Sequence, residues 1–195
     1  MLTEGLQLLE GYGVPLPKYW INEAPREEIT FPVVVKADLN HKSEKGAVIM
    51  NIINYDQLQD AINSLKSRFP NKNIIIQEQI IGKATETIIG IKKDPVFDYF
   101  ILFGIGGTIT ELLKDFIILV PPFDKRDFLN QIEYLKLKKI LFGFRDYPKV
   151  NLDLVYNTIK KLEKIFTENK LKELEINPLI CKEDSVYAVD VRFFT

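Results

Sequence analysis

Residues 174–192 read LEINPLICKEDSVYAVDVR. Apolar and polar residues alternate on both sides of the polar run KEDS, the pattern of two half-buried antiparallel strands joined by a tight turn. A two-residue turn at Glu183–Asp184 sets Asn177 opposite Asp190 and Glu175 opposite Arg192. Three oxygen-bearing side chains, Glu175, Asn177 and Asp190, then share one face of one hairpin. Hard cations such as Mg²⁺ bind sparse oxygen ligands of this kind, with phosphates supplying the rest of the shell. The plainer alternative is a surface ladder in which Glu175 pairs with Arg192 while Asn177 and Asp190 are solvated. Asn177-Pro178 weighs against it. Pro178 has no N–H for a ladder, which points to an edge strand or a bulge, where side chains are re-aimed.

Outward from the hairpin, helices and strands alternate irregularly. Thr3 to Glu10 predicts a short helix closed by Gly11 and Gly13. FPVVVKA (31–37) and residues 47–53 read as strands around the polar loop DLNHKSEKG. Asn54 can cap a helix to about Phe69, with Tyr55, Leu58, Ile62, Leu65 and Phe69 at helical spacing. Strands are expected over 73–80, 85–92, 99–105 and 116–120. Asp124 can cap a helix to about Tyr134, and Leu152, Val155, Ile159, Leu162 and Phe166 mark another. This pattern is α+β rather than a doubly wound parallel sheet.

Several residues carry chemistry or its ordinary counterpart. Lys36 ends an apolar strand, where its ammonium can reach a phosphate, or can snorkel from a sheet edge. IIIQEQI (74–80) can offer backbone groups to a planar base, with Glu86 beyond it for ribose hydroxyls; the alternative is an ordinary hairpin with charged edges. Gly104, Gly106 and Gly107 follow the strand YFILF. They permit close backbone approach to a phosphate, or simply make a turn. The run is neither a Walker loop nor a full GxGxxG fingerprint. His41, the single histidine, sits in a polar loop as a phosphoryl acceptor or as an idle surface residue.

The totals exclude other classes. A chain of 195 residues with 46% hydrophobic content can build one substantial domain or two small lobes. A net charge of -1 argues against a general nucleic-acid binder. No apolar run approaches bilayer length, and the N-terminus lacks the basic start and long apolar stretch of a signal peptide, so no membrane association is expected. One cysteine and one histidine exclude a disulfide framework and make an internal zinc site untenable. A cytoplasmic location is the default expectation.

Six segments, in order along nearly the whole chain, carry a family resemblance. They are LLEGYGVPLPKYW (8–20), FPVVVKADLNHKSEKGAV (31–48), IIIQEQIIGKATETIIGIKKDPVF (74–97), FGIGGTITELLKD (103–115), LFGFR (141–145) and ELEINPL…AVDVR (173–192). Together they resemble the ATP-grasp β subunit of ADP-forming acyl-CoA (acetyl-CoA) synthetases, relatives of succinyl-CoA synthetase. The resemblance implies an ATP-grasp fold of two lobes with a nucleotide cleft between them, expected as residues 1–77 and 78–195. It implies that Lys36 contacts the phosphates of ATP or ADP, and that Glu78, Gln79 and Ile80 meet adenine mainly through backbone. Glu86 would take the ribose, Gly106 and Gly107 would line the phosphate end, and Asn177 and Asp190 would hold Mg²⁺ with Glu175 close by. His41 would carry phosphate between the nucleotide and a phosphohistidine on a CoA-binding α subunit, making the working unit a hetero-oligomer.

The chain also departs from the family pattern. The stretch after LKD usually runs near VSFRIAP, whereas here Leu119 stands where arginine is expected. HKSDxGG becomes HKSEKGA with Glu44 and Ala47, and GYRG becomes GFRD with Asp146. An arginine at 119 would stabilise a transferring phosphate. The competing expectation is therefore a nucleotide-binding or scaffold subunit without turnover. A carboxylate ligase acting alone is a third reading, against which the HKS loop counts.

Overall fold

The structure, a computed structural model, describes residues 2–39, 46–106 and 113–195. The chain forms two compact units, one of Met1–Glu4 with Leu16–Ile80 and one of Gly5–Pro15 with Ile81–Thr195.

The first unit is a four-stranded antiparallel sheet. Strands β1 (Tyr19–Ile21), β2 (Val33–Ala37), β3 (Val48–Ile52) and β4 (Ile74–Glu78) lie in the order β1-β4-β2-β3. Helix α2 (Tyr55–Arg68) covers one face. It starts where Asn54 accepts the Gln57 amide at 2.9 Å, as the sequence pattern predicts. Its Leu58, Ala61, Ile62 and Leu65 pack on Val33, Val35, Ala37, Ile74 and Ile76. Every residue of β2 is buried, and the strand is interior to the sheet. Asp38, just past β2, is 1% exposed and accepts the Leu2 and Thr3 amides. That carboxylate satisfies the first donors of helix α1 (Leu2–Gly11).

The second unit is a six-stranded sheet. Strands β5 (Thr85–Asp94), β6 (Asp98–Ile105), β7 (Phe116–Leu119), β10 (Glu173–Cys181) and β11 (Val186–Ala188) take the order β11-β10-β5-β6-β7, and β12 (Val191–Phe194) also pairs with β10. Helices α3 (Lys125–Ile132) and α4 (Leu152–Glu168) cover one face. Phe103 of β6 meets Phe128 of α3 edge to face, so the buried residues Ile101, Phe103, Ile89, Ile91, Leu174 and Ile176 form the helix-packed side. The next residue along each strand points to the open side. A separate two-stranded hairpin, β8 (Phe142–Phe144) with β9 (Tyr147–Lys149), was not legible in the periodicity. Three-residue strands carry too little alternation to register.

Two of the plainer readings fail on this topology. Residues 74–86 are not a hairpin: β4 and β5 belong to different sheets. Lys36 is not an edge lysine, since β2 lies between β4 and β3.

Candidate functional site

The closing hairpin has the register that its alternation implies. Leu179 faces Ala188 and Cys181 faces Val186 across β10 and β11, and Glu175 faces Arg192 across β10 and β12. Between these pairs the Asn177 amide donates to the Asp190 carbonyl at 3.3 Å. The pairing of β10 with β5 shifts by one residue between Ile176 and Leu179, so Asn177-Pro178 forms a bulge. The strand is interior, not an edge, and the bulge accommodates a proline that gives nothing to the ladder.

Alternation puts Glu175, Asn177, Asp190 and Arg192 on the open side, all partly exposed. Asn177 Nδ2 donates to Glu175 Oε1 at 3.2 Å. That contact fixes which end of the amide is donor, and so which way Oδ1 is presented. Two carboxylates and one amide oxygen suit a hard cation that also takes phosphate oxygens. They do not make a self-sufficient cage: among the described residues no group of three or more His, Cys, Asp or Glu side chains could hold a metal ion.

Glu86 lies on the same open side, on β5 opposite Ile180, and is exposed. Gly106 packs against it. The Gly106 amide donates to the Glu86 carbonyl at 2.6 Å, and a Cβ on Gly106 would come within 3.1 Å of the Glu86 backbone. Gly104 is tighter still, with a Cβ 2.7 Å from the Asp115 carbonyl. Both glycines let backbones approach, and the Gly106 N–H serves the sheet. Thus the second unit brings Glu86, Gly106, Glu175, Asn177 and Asp190 onto one sheet face. His41 and Gly107 lie outside the described residues.

The first unit carries the other candidates. Lys36 is 8% exposed and donates to Gln77 Oε1 at 2.7 Å. The Glu78 and Gln79 amides donate to the Lys18 and Pro32 carbonyls. The Gln79 side chain is bound twice by Asn51, at 2.8 Å to its backbone amide and 2.7 Å to its Oδ1.

Sequence reasoning missed two residues. Gln77 opens the polar run Gln77-Glu78-Gln79 in the sequence, and only its buried place in β4 sets it apart from its neighbours. Asp115, 4% exposed, accepts the Lys136 amide on Oδ1 at 2.9 Å and the Leu137 amide on Oδ2 at 2.8 Å. Nothing local in LKD signals partners twenty residues away. Of the departures, Leu119 is 2% exposed on the helix-packed side, opposite Ile101. Asp146 forms a surface ion pair with Lys83 at 3.1 Å.

The ATP-grasp domain family matches residues 2–194, and the two sheets with their packed helices are an ATP-grasp fold. The β subunit of ADP-forming acetate–CoA ligase I from Pyrococcus furiosus is 32% identical, over 97% of this chain and 88% of its own. The chain belongs to this family of ADP-forming acid–CoA ligase subunits. Acetate–CoA ligase (ADP-forming) I from Archaeoglobus fulgidus is 29% identical over 97% of this chain, which spans 30% of that longer protein. Among solved structures, an acetyl-coenzyme A synthetase from Candidatus Korarchaeum cryptofilum, bound to coenzyme A and Mg-AMPPCP, matches with a TM-score of 0.85 and 28% identity. The match covers 100% of this chain and 91% of that one, in a structure whose phosphohistidine segment points towards the nucleotide-binding site.

Proposed function

We propose that this chain is the nucleotide-binding β subunit of an ADP-forming acyl-CoA synthetase. It transfers a phosphoryl group between a phosphohistidine relay and ADP or ATP, and it works with a CoA-binding α subunit in a hetero-oligomer. The net reaction is acyl-CoA, ADP and phosphate to free acid, CoA and ATP, reversibly. The observation that carries the reading is the opposition of Asn177 and Asp190 on the open face of the sheet, with Glu175 hydrogen-bonded to the amide.

In this reading Lys36 neutralises nucleotide phosphate, residues 78–80 receive the base through backbone, and Glu86 takes ribose hydroxyls. Gly106 and Gly107 line the phosphate end. Asn177 and Asp190 hold Mg²⁺, which supplies charge neutralisation for the phosphates. Phosphoryl transfer needs positioning and charge compensation more than protein covalent chemistry. The one covalent role falls to the imidazole of His41, by family resemblance. Its ring nitrogen takes the phosphoryl group as the partner's N–P bond breaks, then yields it to the terminal oxygen of ADP. A cytoplasmic setting fits the single buried cysteine, and among the described residues no helix is long and apolar enough to cross a membrane.

Calorimetry of Mg-ADP against the full chain tests binding. Asp190→Ala should weaken it at least tenfold, and an unchanged affinity would remove the metal role. Reconstitution with a co-purified α subunit tests transfer. His41→Ala should abolish net ATP formation while leaving Mg-ADP binding in place. The scaffold reading, which rests on Leu119 and Asp146, expects binding with no ATP formation even in the unaltered chain.

A further inference from the structure

Two long polar side chains are buried on the face of the first sheet that α2 does not cover. Gln77 is 2% exposed and Lys36 is 8% exposed. Val34 stands directly opposite Gln77 and Ile75 directly opposite Lys36, so the two polar groups meet on the diagonal of an otherwise apolar patch. The Gln77 amide has a fixed polarity, because its Oε1 accepts the Lys36 ammonium at 2.7 Å. Its Nε2 is fully buried and finds no acceptor among the described residues. Buried donors are almost always satisfied, and an orphan in the interior disfavours the fold. A leucine would fill the position without an orphan donor, although it would take the acceptor away from Lys36.

We infer that Gln77 is a positioning residue for nucleotide binding: its Oε1 holds the Lys36 ammonium at a fixed place on the sheet, and its Nε2–H is kept for a nucleotide oxygen. The inference rests on the reading of Lys36 as a phosphate contact. A lysine on its flexible four-carbon stem loses rotamer entropy when it is fixed on a phosphate. The Gln77 contact immobilises it before nucleotide arrives, so less entropy is lost on binding. One residue later the chain enters the 78–80 stretch assigned to the base, which places Gln77 between the base-contacting backbone and the phosphate-contacting lysine.

The test uses the full chain with Mg-ADP by calorimetry and adenosine by displacement, alongside thermal unfolding. Gln77→Leu should weaken Mg-ADP by roughly tenfold. It should leave adenosine within about twofold, with Tm read only as a fold control, because loss of the orphan donor is opposed by loss of the Lys36 acceptor. Gln77→Glu keeps an acceptor for Lys36 but loses the donor and adds a negative charge, and should weaken Mg-ADP at least as much. It carries the test if the leucine variant does not fold. Equal losses for ADP and adenosine would make Gln77 merely structural, and unchanged ADP affinity in a folded variant would overturn the inference. Lys36→Ala separates the two readings. If it leaves Mg-ADP affinity intact, the phosphate role of Lys36 fails; if it weakens binding while Gln77→Leu and Gln77→Glu do not, the Gln77 inference alone fails.

Discussion

Asn177 and Glu175, two residues apart on one face of β10, are joined by a 3.2 Å hydrogen bond from Nδ2 to Oε1. The contact sets the order of effects within the proposed cation site. Glu175 acts through Asn177 by fixing its orientation, and outer partners of a metal ligand are worth roughly 10–100-fold in affinity. Glu175→Gln retains an acceptor and should cost Mg-ADP binding less than Glu175→Leu, which removes that acceptor. Calorimetry at several Mg²⁺ concentrations would read both. If the leucine variant binds as tightly as the glutamine variant, Glu175 does not orient the asparagine.

Asp115 links β7 to the segment after α3 through two backbone amides, one on each oxygen. The carboxylate is nearly buried. Charge-assisted bonds of this kind are worth more than neutral ones, and their loss strands two donors. Asp115→Ala should lower the unfolding free energy by about 2–4 kcal/mol, with Asp115→Asn in between. Urea unfolding measures this, and a shift under about 0.5 kcal/mol for the alanine variant would contradict the account.

Burial raises the Cys181 thiol from its ordinary value near 9 to about 12, against an opposing contact with Thr87 Oγ1 at 3.4 Å. The folded chain therefore holds this proton longer than the unfolded chain. The contribution to stability is full below pH 9 and is lost as pH rises towards 12. Tyr99, also raised to about 12 by burial and by its bond to Glu163, adds a loss of the same sign above pH 10. Urea midpoints should fall from pH 9 upward, less steeply in Cys181→Ala. A slope identical in that variant would show that the thiol does not carry the effect. The folded chain should also resist thiol alkylation at pH 8.

Much of this architecture was legible because it is local. The hairpin register follows from alternation and a two-residue turn, and the start of α2 follows from Asn54. The opposition of the candidate residues Asn177 and Asp190 follows from the same local alternation. What escaped depends on distant partners. Whether Lys36 is interior depends on β3 and β4 flanking it, and the partner of Asp115 lies across a helix. β1 and the β8–β9 hairpin escaped for a different reason, having three residues per strand. The same limit applies to Leu119. The family resemblance implies an arginine there, whereas the direction of its side chain is set by pairing with β6.

That direction yields a prediction about the departure itself. Leu119 is 2% exposed, paired with Ile101 on the side packed by α3 and α4. Glu175, Asn177 and Asp190 are on the other side. An arginine introduced at 119 would place its guanidinium in an apolar layer, where an unpaired charge destabilises by several kcal/mol. Leu119→Arg should therefore lower the unfolding free energy by about 3–5 kcal/mol and leave Mg-ADP affinity unimproved. Asp146→Gly, the comparable reversion at an exposed ion pair, should shift stability by less than about 1 kcal/mol. Urea unfolding of both variants, with ATP formation assayed beside the α subunit, decides the matter. A Leu119→Arg chain that is as stable as its parent and forms ATP faster would mean that position 119 reaches the transferring phosphate after all. The expected result, a destabilised chain with no gain in turnover, would make Leu119 a core residue whose exchange for arginine is not what governs catalysis.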